Sequence, residues 1–180
     1  MKKQLIAVIV GAIILFIWQF LSWALVNFHA AETQYTPNQE RIIEALTQNL
    51  PEEGSFMIPN VPPDTPMDQQ EPLMKAWEGK PWATITYHKA MNTDMTMNMV
   101  RGFAVDLVVL FLLVWLLGKI QGLNFSTVIQ ACLAIGVISY LTIPYLHSIW
   151  YETETLGHLI DAIGCWGLIG VWLGWFLNRK

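Results

Sequence analysis

Charge is what this sequence has least of. Asp, Glu, Lys and Arg make up 13% of its 180 residues, where a soluble domain carries about 25%. The deficit is uneven: charges gather in the middle of the chain, and long runs nearly free of them flank that region. This is the pattern of membrane spans around a polar insert. Cysteine is scarce too. Cys132 and Cys165 both fall in apolar runs, which excludes a disulfide framework or a CxxC redox pair. There is no internal repeat, Gly-rich phosphate loop, HExxH, GxSxG or paired metal-ligand spacing. No catalytic residue and no cofactor is therefore expected. The formal net charge of −4 lies mostly in the insert, which argues against nucleic acid as a partner.

What is present is apolar sequence: 54% of the residues are hydrophobic. The first run, Leu5 to Val26, follows Lys2 and Lys3. It exceeds the ~7–15 residues of a signal-peptide core, and Asn27-Phe28-His29 offers no small-residue cleavage site. An uncleaved anchor is expected. Further runs cover Gly102 to Gly118, extendable back to about Asp94, then Val128 to Leu146 with Pro144 near its end, and Leu156 to Leu177. Each approaches the ~20 residues that cross ~30 Å of hydrocarbon.

Orientation follows from the basic residues of the short connections. Lys2 and Lys3 precede the first span, Lys119 lies between the second and third, and Arg179 and Lys180 follow the fourth. The connection 147–155 has no Lys or Arg and carries Glu152 and Glu154. Four spans with both termini cytoplasmic satisfy all of these. The expected fold is a membrane α-helical protein, a four-transmembrane-helix bundle with a small α+β extracytoplasmic insert between helices 1 and 2. Its parts are 1–28 (helix 1), 29–96 (insert) and 97–180 (helices 2–4).

Within the insert, Thr36-Pro37-Asn38-Gln39 reads as a helix start, with Thr36 capping and Pro37 at the first helical position. Ile42, Ile43, Leu46 and Leu50 continue at helical spacing to Pro51. Ser55 to Ile58 is a short apolar run, and four prolines between Pro59 and Pro66 enforce a loop. Met67 to Trp77 is a weaker helix. Trp82 to Tyr87, rich in β-branched and aromatic residues, is a strand expected to pair with 55–58.

The run Gly11-Ala12-Ile13-Ile14-Leu15-Phe16-Ile17-Trp18, then Ser22-Trp23, then His29, resembles the start of a family of small bacterial membrane proteins of unknown function. The Pro-rich stretch Met57-Ile58-Pro59-Asn60-Val61-Pro62-Pro63 is comparable to a segment that follows their first span. The resemblance covers about two-thirds of the chain. It supports the expected topology and implies no activity; in a Gram-negative bacterium that topology would make this an inner-membrane protein with a periplasmic insert.

Two constellations carry chemistry. The first is a polar layer at the outer ends of the spans: His29, Asp106, His147, His158 and Asp161, with Glu152 and Glu154. His158, Asp161 and Cys165 share a helical face, near Gly157, Gly164 and Gly174. Asp106, His158 and Asp161 are the candidate ion or proton site. The bland alternative is mutual hydrogen bonding at the interface; separately, the lone polar residues Gln19, Ser22, Gln130 and Ser139 within spans read as interhelical hydrogen bonds and not as a transport path. The second is His88 with Met91, Met95, Met97 and Met99, a soft-ligand set that would suit Cu(I). Packing of a Met95, Met99, Gly102, Asp106 stripe is the alternative. The nine tryptophans fit interfacial belts. The expected function is non-enzymatic: an accessory or structural subunit of a membrane complex, or a small homo-oligomer, with the lipid bilayer and a protein or a second copy as partners. The alternative is a small proton or metal-ion transporter.

Overall fold

The computed structural model of the protein describes residues 2–179; Lys180, part of the charge argument, lies outside them. Apolar sequence becomes four helices long and apolar enough to cross a membrane: Lys2–Leu25, Thr96–Leu117, Phe125–Tyr151 and Leu156–Asn178. The first consists of α1 (Lys2–Phe20) and a wide π-helical turn, Leu21–Leu25. A smaller unit, Tyr35–Thr93, follows. It contains α2 (Gln39–Asn49), β1 (Gly54–Ile58), α3 (Met67–Trp77) and β2 (Ala83–Tyr87). The remaining long helices are α4 (Thr96–Leu117), then α5 (Phe125–Tyr140) continued through a π-helical turn into α6 (Leu146–Tyr151), and α7 (Leu156–Asn178).

In the smaller unit, β1 and β2 pair antiparallel as expected, in the register Gly54 with Tyr87 to Ile58 with Ala83. Tyr87 is buried, and its hydroxyl donates to Thr47 Oγ1 of α2 at 3.3 Å, fixing the sheet to the helix. The start of α2 differs from expectation. The Thr36 hydroxyl accepts from the Asn38 N–H at 3.3 Å, and the helix begins at Gln39. A short side chain that bonds its own backbone two residues on makes a turn, and that turn displaces the helix start beyond Pro37.

In the larger unit, made of residues 1–34 and 94–180, α1 packs between α4 and α7, and α7 between α1 and α5. The packed core lies toward the chain termini. It joins Ala7, Ala12 and Leu15 of α1, Leu110 and Leu117 of α4, Val128 and Cys132 of α5, and Ile169 and Leu173 of α7. Lys3 Nζ donates to the Leu177 carbonyl at 3.2 Å and to the Arg179 carbonyl, satisfying acceptors at the end of α7. Asn124 caps α5 by accepting the Thr127 N–H at 3.0 Å. The outward faces remain apolar, as at Ile9, Ile13, Val108, Phe111, Ile163 and Val171.

The third long helix does not stop near Pro144. Proline lacks an N–H and its ring crowds the carbonyl four residues back. The widened turn Leu141–Tyr145 absorbs that conflict, and the helix runs on to Tyr151. The sequence ends this span at Leu146 and begins the connection at residue 147; the helix instead continues to Tyr151. The closest helix approach is at Gly136, where an added Cβ would collide with the Ala162 carbonyl oxygen and come within 2.6 Å of Trp166 Cδ1. Backbone cannot yield as a side-chain tip can, so Gly136→Ala should force α5 away from α7. The expected cost is about 1–3 kcal/mol, read as a lower thermal midpoint by circular dichroism in detergent. An unchanged midpoint would mean that this contact is not made.

Candidate functional site

Away from the apolar core, the same helices bury polar groups: Ser22, His29 and Asp106 are each at most 2% exposed. Local sequence explains how His29 arrives there. The Leu21–Leu25 turn ends in Val26, Asn27 takes a left-handed conformation (φ 55°), and the Phe28 N–H returns to the Ser22 carbonyl at 3.0 Å. Asparagine tolerates that conformation better than most residues. A short 3-10 turn, Ala30–Glu32, then places Glu32 one turn beyond His29.

The His29 ring sits in a prepared slot. Trp23 stacks on it with centroids 3.7 Å apart and planes 3° from parallel. Gly157 of α7 leaves room beside it: an added Cβ would lie 2.8 Å from both His29 Nδ1 and the Phe28 carbonyl oxygen. Both ring nitrogens meet carboxylates. Nε2 is 3.0 Å from Asp161 Oδ2, and Nδ1 is 2.6 Å from Glu32 Oε1. The other Glu32 oxygen is 3.2 Å from His158 Nε2. Asp161 also accepts from Trp18 Nε1 at 2.8 Å and from the Ser22 hydroxyl at 2.6 Å. The result is a chain, Asp161–His29–Glu32–His158, that joins α1 and the segment after it to the first turns of α7.

Asp106 of α4 stands apart from that chain. Its Oδ1 accepts from Gln19 Nε2 at 3.0 Å. Its Oδ2 is buried with no hydrogen-bond partner among the described residues. Such a group costs on the order of 1–3 kcal/mol if nothing satisfies it. Asp106, Asp161, His158 and Glu32 all line one cavity of about 1160 Å³, with Trp18 and Tyr140 among its walls. Its lining is drawn from α1, α4, α5, α6 and α7.

The three residues of the candidate ion site therefore share a cavity but do not bond one another. His158 reaches Glu32, Asp161 reaches α1 and His29, and Asp106 reaches Gln19. Of the rest of the polar layer, His147 lies 3.4 Å from the Thr153 hydroxyl and stacks on Tyr151. The soft-ligand set is divided. His88 and Met91 belong to the Tyr35–Thr93 unit and Met95, Met97 and Met99 to the other, and all four methionines are exposed. Glu32 is the participant that the sequence reading missed. The available signal was its position three residues after His29, within reach once a tight helical turn intervenes.

Because His29 depends on the space at Gly157, Gly157→Ala should displace the ring and loosen its bonds to Asp161 and Glu32. A loss of about 1–3 kcal/mol is expected, measured as a lower unfolding midpoint in detergent. A variant as stable as the parent would show that the slot is not needed.

No protein-family model, curated protein or solved structure matches this chain.

Proposed function

We propose that the chain is a multi-pass protein of the cell membrane, with both termini cytoplasmic and the Tyr35–Thr93 unit on the other side. It works without catalysis, as an accessory or structural subunit of a membrane assembly or as a small homo-oligomer. Four long helices with apolar outward faces support the bilayer as its solvent. The resemblance of its first span to small bacterial membrane proteins agrees with this topology, and in a Gram-negative cell the Tyr35–Thr93 unit would be periplasmic. Topology is checked with reporter fusions after Gln70 and after Lys180. The first should report from outside and the second from the cytoplasm; an outside signal after Lys180 would overturn the four-span arrangement.

The observation that carries the subunit reading is that Asp161 is held by three groups, Trp18, Ser22 and His29. A carboxylate that accepts three fixed donors ties helices together, whereas a carrier group must exchange partners. The depth of the cavity agrees. Trp166, on its wall, is ten residues past Leu156, about 15 Å along a helix and half of a ~30 Å hydrocarbon layer. Below it, Leu110, Leu117, Val128 and Leu173 are packed with at most 1% exposure. A cavity that stops at this packed core supports the subunit reading over a continuous channel.

A second reading, proton or metal-ion transport through Asp106, His158 and Asp161, is favoured by the buried, unpartnered oxygen of Asp106, a residue that lines the cavity with the other two. Two substitutions separate the readings. On the subunit reading, the purified parent gives no ion flux in liposomes. Asp161→Asn is then mild, and Asp161→Leu destabilises by about 1–3 kcal/mol because Trp18, Ser22 and His29 lose their acceptor. Flux in the parent, abolished in a normally folded Asp161→Asn, would establish transport in its place.

A further inference from the structure

His29, Glu32 and His158 each offer one ligand atom, and the three atoms lie within 4.8 Å of one another. We propose that these residues bind one zinc ion, with water from the cavity as fourth ligand, and that Asp161 orients His29 for it. The site gives the polar chain of the proposed subunit a specific ligand, and it holds whether or not that reading does.

Two imidazoles and a carboxylate are a donor set suited to zinc, with bonds of about 2.0–2.2 Å in a tetrahedral arrangement. Ligand atoms in such a tetrahedron are about 3.3 Å apart, as those bond lengths require. The contacts of 2.6 Å between His29 Nδ1 and Glu32 Oε1, and 3.2 Å between Glu32 Oε2 and His158 Nε2, both fall short of that separation, so the carboxylate must draw back from the rings to admit the ion. Adjustment falls to His158, whose side chain is 34% exposed while that of His29 is fully buried. Glu32 and His158 line the cavity, so the remaining coordination position opens to water.

The surroundings of His29 strengthen the assignment. A metal-binding histidine commonly gives its other ring N–H to a carboxylate, which fixes the tautomer and makes the ligating nitrogen more basic. Here Nε2 faces Asp161 Oδ2 at 3.0 Å, so Nδ1 is the nitrogen directed at the ion. Asp161 is itself held by Trp18 and Ser22, and Trp23 stacks flat against the ring. The ligand with the least freedom thus has two layers of support. Glu32 and His158 come from elements far apart in sequence, so the ion would join the segment after α1 to the start of α7.

The test uses the full-length protein in detergent, purified with a tag that contains no histidine and stripped with a chelator. Zinc is titrated in competition with a chromophoric chelator, and cobalt(II) serves as a visible-absorption probe of tetrahedral geometry. The parent should bind one ion per chain. His158→Gln and Glu32→Gln, both at accessible side chains, should each weaken binding about 100-fold or more. Asp161→Asn should weaken it about 10–100-fold while cobalt still binds, and His88→Gln should leave affinity unchanged. Absence of binding in the parent, or unaltered affinity in either His158→Gln or Glu32→Gln, would overturn the site and leave only a hydrogen-bonded chain. Ion flux in the parent would instead refute the subunit reading without touching zinc binding.

Discussion

A carboxylate set between helices has to be supplied with donors, and the requirement at Asp161 organises much of the larger unit. Trp18 and Ser22 meet it from one face of the first long helix, four residues apart, which is the spacing that stacks side chains on a helix surface. His29 meets it after the chain has turned back. Each donor carries a further constraint. Trp18 needs the missing side chain of Gly164, His29 needs that of Gly157, and both glycines lie on the helix that bears Asp161. One polar contact therefore sets how closely α1 and α7 approach and at what height.

The helix arrangement then divides the larger unit into two unlike halves. With α1 and α7 side by side and α4 and α5 on their flanks, small and aliphatic residues close the end near the termini. At the other end the helices line an open cavity, with Asp106 in its wall and Ser22 and His29 buried behind Asp161 and Glu32, which line it. Asp106 belongs to this second half. One of its oxygens is matched by Gln19, and the other is buried without a hydrogen-bond partner among the described residues.

Much of this was legible in the sequence because periodicity and hydropathy act locally. The long helices, the pairing of 54–58 with 83–87 and the helix Met67–Trp77 follow from runs of one residue character. Partner choice was less legible. Gln19 and Ser22 could be recognised as hydrogen-bonding residues within an apolar run, but their partners are 87 and 139 residues away. Sequence placed Asp161 beside His158 on one face, yet the ring that reaches it is that of His29, delivered by a left-handed Asn27 and a 3-10 turn. Proline signals failed for a related reason. Pro37 and Pro144 were read by their intrinsic preferences. A side-chain turn at Thr36 and a widened helical turn at Leu141–Tyr145 changed the outcome.

The passage of the third long helix through Pro144 also affects how the molecule would sit in lipid. At 27 residues, Phe125–Tyr151 is longer than its three companions of 22 to 24. At 1.5 Å per residue it measures about 40 Å, against a hydrocarbon thickness of about 30 Å. In a bilayer the excess is accommodated by tilting, or by α6 standing clear of the acyl chains. Tyr145 and Trp150, exposed near that end, are residues that anchor at the headgroup level. Thicker membranes would draw more of α6 into hydrocarbon and thinner ones would lift it out.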